Sequence, residues 1–248
     1  MDLLPTEEQD EIVASVRAVL ADRHVMGDPI DDALWSTAVE QGWFALGLPE
    51  ELGGVGYTAV EEALVFIEIG RVCAPGPFLA TTIAARIAAE AGETELSAAL
   101  IGGEQRAAWA EPEGDGLRFT DHSGAQVAVV VDGDEVSVMS LDGVELLDEA
   151  ALDVLVPLAT GPRPTQVLAR AGDPAAIKAR AMVLVAAALS GIALATTDQS
   201  VEYAKDRQQF GQPIGGFQAV KHRCADMAVR ADLASSQVRW AALSIAGS

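Results

Sequence analysis

Basic residues are scarce in this sequence. Its 248 residues carry 16 Lys+Arg against 37 Asp+Glu, a formal net charge of −21. Such a field repels polyanions, which excludes nucleic acid or an anionic membrane surface as the principal partner. A small phosphorylated ligand stays admissible, because it needs only a few local cations. Cysteine is rarer still. Cys73 and Cys224 have no metal-ligand spacing, and the expectation is two buried thiols in a reducing cytoplasm rather than a disulfide. His24, His122 and His222 are too scattered to predict a metal cluster. The opening residues, MDLLPTEEQDEI, lack a basic stretch followed by an apolar run, so no leader peptide is readable. No membrane span is expected either. The run AMVLVAAALSGIALATT is Ala-rich, short for the hydrocarbon core, and carries Ser190 and Gly191 with Arg180 at its edge. It reads as a helix buried on several faces.

The first 105 residues read as helices. Thr6 and Gln9 have capping-box spacing, and Ile12, Val13, Val16, Val19 and Leu20 then form one apolar stripe. A second helix is expected from Asp32 to Gly42, where glycine can take the left-handed C-terminal position. LPEELGGVGY is a glycine-rich loop, after which Thr58 and Glu61 offer another capping box. Two further helical stretches end at Gly102-Gly103. Composition then shifts to short β-branched runs, VAVVV and EVSVMSL, separated by Asp132-Gly133, a hairpin signal. This β region is expected over residues 106–164. Over 165–248, Asp173-Pro174 starts a long helix, Gly211 to Gly216 make a turn, and a second long helix begins near Gln218. The predicted class is α+β, mostly α. Two long helices cannot bury all their apolar faces on each other, so a four-helix bundle or a partner chain is required. With the chain stopping at AALSIAGS, the missing helices are expected from another chain or from a longer sequence.

The corner between those helices is unusual for so acidic a chain. DRQQFGQPIGGFQAVKHRCADM gathers Arg207, Lys221, His222 and Arg223 around a Gly-Pro turn. On its own, the corner reads as a helical turn whose arginine pairs with an acid. However, YAKDRQQFGQPIGGFQAVKHRCADM closely resembles the R-x-x-F-G…Q…A-D-M signature of the acyl-CoA dehydrogenase family. GWFALGLPEELGGVG followed by IEIGR, residues 42–71, resembles that family's N-terminal helical domain. The resemblance implies an N-terminal helical domain, a middle β domain and a C-terminal helical bundle. It also implies FAD, acyl-CoA thioesters oxidised at the α,β positions, electron-transfer flavoprotein as acceptor, and an oligomer in which this corner contacts a neighbouring subunit's FAD. On that footing Arg207, Gln209 and Phe210 contact the cofactor from one side of the turn, and Phe217 and Gln218 from the other. An arginine fork suits a pyrophosphate.

The match is uneven. WAEPEGDG keeps only Glu111 and Pro112 of the family's T-E-P-x-x-G-S-D segment, so the β domain is shortened. Aligning GAQVAVVV on the family's strand puts Thr120 at the flavin-facing threonine and Arg118 at its tryptophan; as a plain residue, Thr120 reads equally as part of a strand. Dehydrogenation needs a carboxylate within reach of the α-proton. One of the family's two positions lies past Ser248, and counting back from Arg207 puts Ala181 at the other. Glu202 and Asp206 read as solvent-facing helix charges. The expectation is an FAD-binding subunit of a heteromeric acyl-CoA dehydrogenase, a heterotetramer acting on fatty-acid or steroid-side-chain thioesters, with the base supplied by a related subunit. The alternatives are an ordinary homotetramer whose C-terminal part is missing and a non-enzymatic helical interaction protein.

Overall fold

A computed structural model describes residues 5–246. The first four residues and the last two, on which the leader and chain-end expectations partly rest, lie outside the described residues.

Local signals build the N-terminal helices. Helix α1 (Glu7–Arg23) starts at a complete capping box, in which the Thr6 side chain accepts from the Gln9 amide and the Gln9 side chain accepts from the Thr6 amide. The same reciprocal arrangement of Thr58 and Glu61 starts α3 (Ala59–Arg71). Between them lie α2 (Asp32–Glu40), capped by Asp31, and the glycine-rich loop, which contains a 3-10 turn at Glu50–Leu52. Gly42 takes its left-handed conformation at φ +70°. Helices α4 (Phe78–Glu90) and α5 (Thr94–Ile101) complete this layer. A stack of Trp35, Phe44 and Phe78 packs α2 against α4.

The β region is a seven-stranded mixed sheet ordered β5-β6-β2-β1-β3-β4-β7. Strands β1 (Ala107–Glu113) and β2 (Gly116–Thr120) form a tight antiparallel hairpin, with Trp109 opposite Thr120. Strands β3 (Val127–Asp132) and β4 (Glu135–Ser140) pair across Asp132-Gly133 as the sequence predicts. Strand β1 also pairs with β3 in parallel, a long-range contact that no turn signal announces. Strands β5 (Leu147–Glu149) and β6 (Leu158–Gly161) extend one edge; β7 (Val167–Arg170) extends the other and lies past the expected limit at 164. Period-2 alternation separates the faces. Val127 and Val129 join the helical core, whereas Ala128 and Val130 join a second cluster with Leu117 and Phe119.

Helix α6 (Pro174–Asp206) is capped by Asp173 with Pro174 in its first turn. It leads into a two-stranded ribbon, β8 (Gln208–Gln209) and β9 (Gln212–Pro213), then a short 3-10 turn and α7 (Gln218–Ala246). Helices α3 and α6 approach closely enough to need glycine on both sides. A Cβ on Gly70 would lie 2.0 Å from the Ala188 carbonyl oxygen, and one on Gly191 2.0 Å from that of Ile67. By length and composition alone α6 could cross a membrane; here it packs on α3 and α7.

Two expectations fail. Helix α6 is not buried on several faces: Met182 is 71% exposed and Leu189 60%. Its apolar composition reports a surface that packing within this chain covers only in part. Nor are the cysteines buried. Cys73 is exposed in a left-handed turn after α3 (φ +49°), and Cys224 is half-buried on α7.

Candidate functional site

Two separate places hold the residues singled out by the sequence. The first is a cavity of about 710 Å³ between the sheet and α6, closed at one end by Leu79 and Ala80 of α4. Thr120, at the end of β2, lines it. Trp109 does so too, because antiparallel pairing sets it opposite Thr120. The Trp109 indole donates to Glu111 at 3.0 Å, which occupies one of the two carboxylates in the cavity. Helix α6 contributes Lys178, Ala181 and Met182. Lys178 is one turn before Ala181, and its ammonium donates to the Gly133 carbonyl at 2.9 Å. Ala181 is 4% exposed and carries no group able to take a proton. Arg118 lies outside this cavity and pairs with Glu113 and Glu149.

The second carboxylate of the cavity is Asp121. It sits at φ +56°, a region that non-glycine residues enter at some cost, and its amide donates to the Pro157 carbonyl. Its Oδ1 is buried without a hydrogen-bond partner. Burial, with a smaller contribution from Asp153, pushes its pKa up to about 6. A largely apolar cavity with a few convergent polar groups is the usual form of a small-molecule site.

The second place is the corner after α6. The Ile214 amide donates to the Arg207 carbonyl at 2.8 Å, closing the ribbon, and the Phe210 and Phe217 rings meet edge to face at 6.1 Å. Gly215 packs the turn against α6, where a Cβ would stand 2.8 Å from the Ala204 carbonyl oxygen. Arg207, Gln209 and Gln218 are exposed, as is Phe210 at 91%, while Phe217 is half-buried. Arg207 therefore does not adopt the plain alternative of an arginine paired with an acid. Every lysine and arginine from Arg17 to Lys205 is ion-paired with a carboxylate. Among the described residues, Arg207, Lys221, Arg223, Arg230 and Arg239 form no ion pair. The local charge is thus opposite to that of the whole chain. An unpaired guanidinium and two exposed glutamine amides, of which Gln209 donates to the Gln208 carbonyl at 2.8 Å, beside an aromatic pair with one exposed ring are a donor set that fits a dinucleotide carrying a pyrophosphate.

Five of the six predicted site residues come together at this corner, and Thr120 does not. The cavity's lining on α6 runs from Lys178 to Leu189, and from Leu189 to Arg207 the rise is about 27 Å, so corner and cavity are separate places on one chain. Sequence reasoning missed Trp109, Asp121 and Lys178. Trp109 could be found only through strand register. Lys178 was legible as the residue one turn before Ala181, and Asp121 as a turn-former after the last strand residue.

Comparison with known proteins finds related sequences and folds. Residues 6–103 match the family description acyl-CoA dehydrogenase, N-terminal domain, and residues 178–246 match acyl-CoA dehydrogenase, C-terminal domain. The chain is 37% identical over 235 residues to acyl-CoA dehydrogenase IpdE2 of Mycobacterium tuberculosis, an overlap of 87% of this chain and 65% of that protein. Against IpdE2 of Mycolicibacterium smegmatis the identity is 32%, covering 90% of this chain and 73% of that one. The chain therefore spans roughly two thirds of the relatives it matches. Among solved structures it superposes on a Tcur3481–Tcur3483 steroid acyl-CoA dehydrogenase variant with a TM-score of 0.75 at 25% identity, covering 91% of this chain and 74% of that one. The fold also matches butyryl-CoA dehydrogenase from Megasphaera elsdenii, with a TM-score of 0.80 at 18% identity, over 100% of this chain and 82% of that one.

Proposed function

The chain belongs to the acyl-CoA dehydrogenase family, and from that premise we propose that it is an FAD-binding subunit of a heteromeric acyl-CoA dehydrogenase. The observation that carries this reading is Ala181, a buried residue with no proton acceptor on the helix that lines the cavity. The dinucleotide corner stands about 27 Å along α6 from the nearest cavity residue, Leu189, and a second subunit, like or unlike this one, brings a corner to each cavity. Arg207 holds the pyrophosphate, Gln209 and Gln218 bond the adenosine half, and Phe210 and Phe217 shield it from water. In the cavity, Thr120 and Trp109 form the wall against which the flavin ring and the thioester are held. FAD, when bound, supplies the hydride acceptor for the β-carbon.

Ala181 supports dependence on a partner. The α-proton must pass to a carboxylate, and a buried methyl group on α6 cannot receive it; in this reading a related subunit supplies the base. The substrates are acyl-CoA thioesters, with a bulky steroid-type acyl group favoured by the likeness to the steroid enzyme. Electron-transfer flavoprotein is the acceptor, and the complex is cytoplasmic.

Expression of the chain alone and together with a glutamate-bearing acyl-CoA dehydrogenase subunit tests this. The pair is expected to purify as one yellow complex and the lone chain to be flavin-poor. Full FAD occupancy in a stable monomer would overturn the reading.

A further inference from the structure

Two carboxylate oxygens are buried without a hydrogen-bond partner among the described residues, Glu113 Oε2 and Asp121 Oδ1. Glu113 is compensated by its ion pair with Arg118. Asp121 has no such partner, and desolvation and the charge of Asp153 both oppose its ionisation. A buried acceptor left open is costly, and in a folded protein it calls for an account. Its position supplies one. Asp121 lines the large cavity between the sheet and α6, and it also lines a smaller one of about 270 Å³. The smaller cavity is walled by Pro29, Pro75 and Pro77 of the helical layer and by Leu155 and Pro157. Pro77 borders this small cavity, whereas Leu79 and Ala80 border the large one. The two spaces therefore adjoin along Asp121 and the start of α4. The backbone holds the carboxyl in place, with φ at +56° and the amide bonded to the Pro157 carbonyl at 2.9 Å.

We propose that Asp121 determines specificity for the acyl group: its carboxylate accepts a hydrogen bond from a hydroxyl on an acyl-CoA that extends from the large cavity into the small one. The inference rests on the reading of the large cavity as the acyl-CoA site, and it adds which acyl groups that site takes. The neighbouring charges select a hydroxyl. An ammonium group would share the small cavity with the Arg106 guanidinium, which is held by Asp32 at 3.1 Å and lies over the Trp35 ring. A carboxylate would meet Asp121 and Asp153, both of its own sign. A neutral donor meets neither objection, and its burial costs little once its hydrogen bond is made. With a pKa of about 6, Asp121 is mostly ionised at neutral pH and offers acceptors only. Such a site discriminates sharply, because an analogue lacking the hydroxyl leaves the acceptor unpaired.

The test uses the full chain, alone and in complex with a glutamate-bearing acyl-CoA dehydrogenase subunit. The probes are two pairs of CoA thioesters, cyclohexylpropanoyl and decalinylpropanoyl, each with and without a ring hydroxyl. Calorimetry is expected to show a hydroxylated thioester binding about tenfold to a hundredfold more tightly than its parent, the contribution of one hydrogen bond to a charged group. Asp121→Gly suits the left-handed backbone and removes the acceptor. It should bind the parent thioesters as the wild type does and lose the preference for the hydroxyl. Asp121→Asn retains a neutral acceptor and should keep part of that preference. The effect should lie in affinity and not in the rate of flavin bleaching by saturating thioester, because Asp121 holds a substituent and not the reacting carbons. Equal binding within both pairs overturns the proposal and leaves the acyl-CoA reading standing, whereas failure of every thioester to bind overturns both. A preference that survives in Asp121→Gly overturns it too. Loss of flavin from Asp121→Gly, with both members of each pair bound equally by the wild type, would assign the open acceptor to the cofactor instead.

Discussion

Glu62 of α3 and Arg180 of α6 are ion-paired at the junction of the helical layer and the long helix, with the Glu62 side chain only 2% exposed. Arg180 immediately precedes Ala181, so this pair fixes the height at which α6 presents its methyl group to the cavity. Burial lowers the Arg180 pKa, and the carboxylate opposes that shift. Gly47 leaves room for the pair, since a Cβ there would stand 2.4 Å from Glu62 Oε1.

Removing one member of a buried pair strands the other in low dielectric. Glu62→Ala is therefore expected to lower stability by about 3–5 kcal/mol. Arg17→Ala should cost no more than about 1 kcal/mol, because Arg17 is 58% exposed and Glu68 retains Arg71. Urea unfolding of the two variants measures the contrast, and equal losses would show that the Glu62–Arg180 pair does not anchor α6.

At the corner, Arg207→Ala is expected to weaken flavin retention in the reconstituted complex. Loss of a charge-assisted contact corresponds to about 1.5–3 kcal/mol, one to two decades in the dissociation constant. Arg207→Lys should recover only part of this, because a point charge does not reproduce the guanidinium fork. Flavin release monitored by fluorescence reads both variants, and an unchanged constant for Arg207→Ala would remove Arg207 from the cofactor site.

What was legible in the sequence follows the range of each signal. Thr6, Thr58 and Asp173 announce helix starts because a cap is a contact between residues three positions apart, and all three helices begin there. Asp132-Gly133 likewise marks a hairpin whose geometry is local. The parallel pairing of β1 with β3 spans a connection with no such mark, and the meeting of Trp109 and Thr120 depends on the exact register of the β1–β2 hairpin, which the sequence does not state. Periodicity showed that Met182 and Leu189 are apolar, but an apolar side chain records that a surface wants cover, not whether this chain provides it. The unpaired cations of α7 belong to the same class: being unpaired is a property of the folded arrangement, and the sequence shows only the charges.

Asp121 gives the protein a pH dependence whose sign is fixed. Its folded pKa of about 6 lies above the ordinary 3.8, so the folded state holds this proton more tightly than the unfolded chain. The resulting stability is fully present below about pH 4 and is lost as pH rises through about 6, by up to ~3 kcal/mol for a shift of this size. Asp121→Asn keeps the shape and removes the charge, and Asn tolerates the left-handed conformation well. It should be more stable than the wild type at pH 7, with the difference fading by pH 4. Urea midpoints across that window measure it; a variant less stable at pH 7 would mean that the carboxylate has a favourable partner.

The catalytic prediction follows from what α6 and the cavity place near a substrate. Glu111 is engaged by the Trp109 indole. Glu202 is exposed and paired with Lys205 at 2.6 Å, and Asp206 lies about 37 Å along α6 from Ala181. Asp121 is the carboxylate nearest to a base in character, since its pKa is close to neutrality and it lines the cavity. Yet it also lines the neighbouring cavity with Val154 and Pro157, and the charge that perturbs it is Asp153 on that side. If the partner subunit supplies the base, then Glu111→Gln, Asp121→Asn, Glu202→Gln and Asp206→Asn should each leave the reductive half-reaction of the complex within a few-fold of wild type. Replacing the partner's glutamate should slow it by about 10²–10⁴-fold, the range a positioned general base contributes. Anaerobic bleaching of the flavin by an acyl-CoA isolates this step from the electron acceptor. Bleaching that fails in Asp121→Asn while the complex keeps its flavin and its affinity for the thioester would place the base in this chain, across the cavity from Ala181.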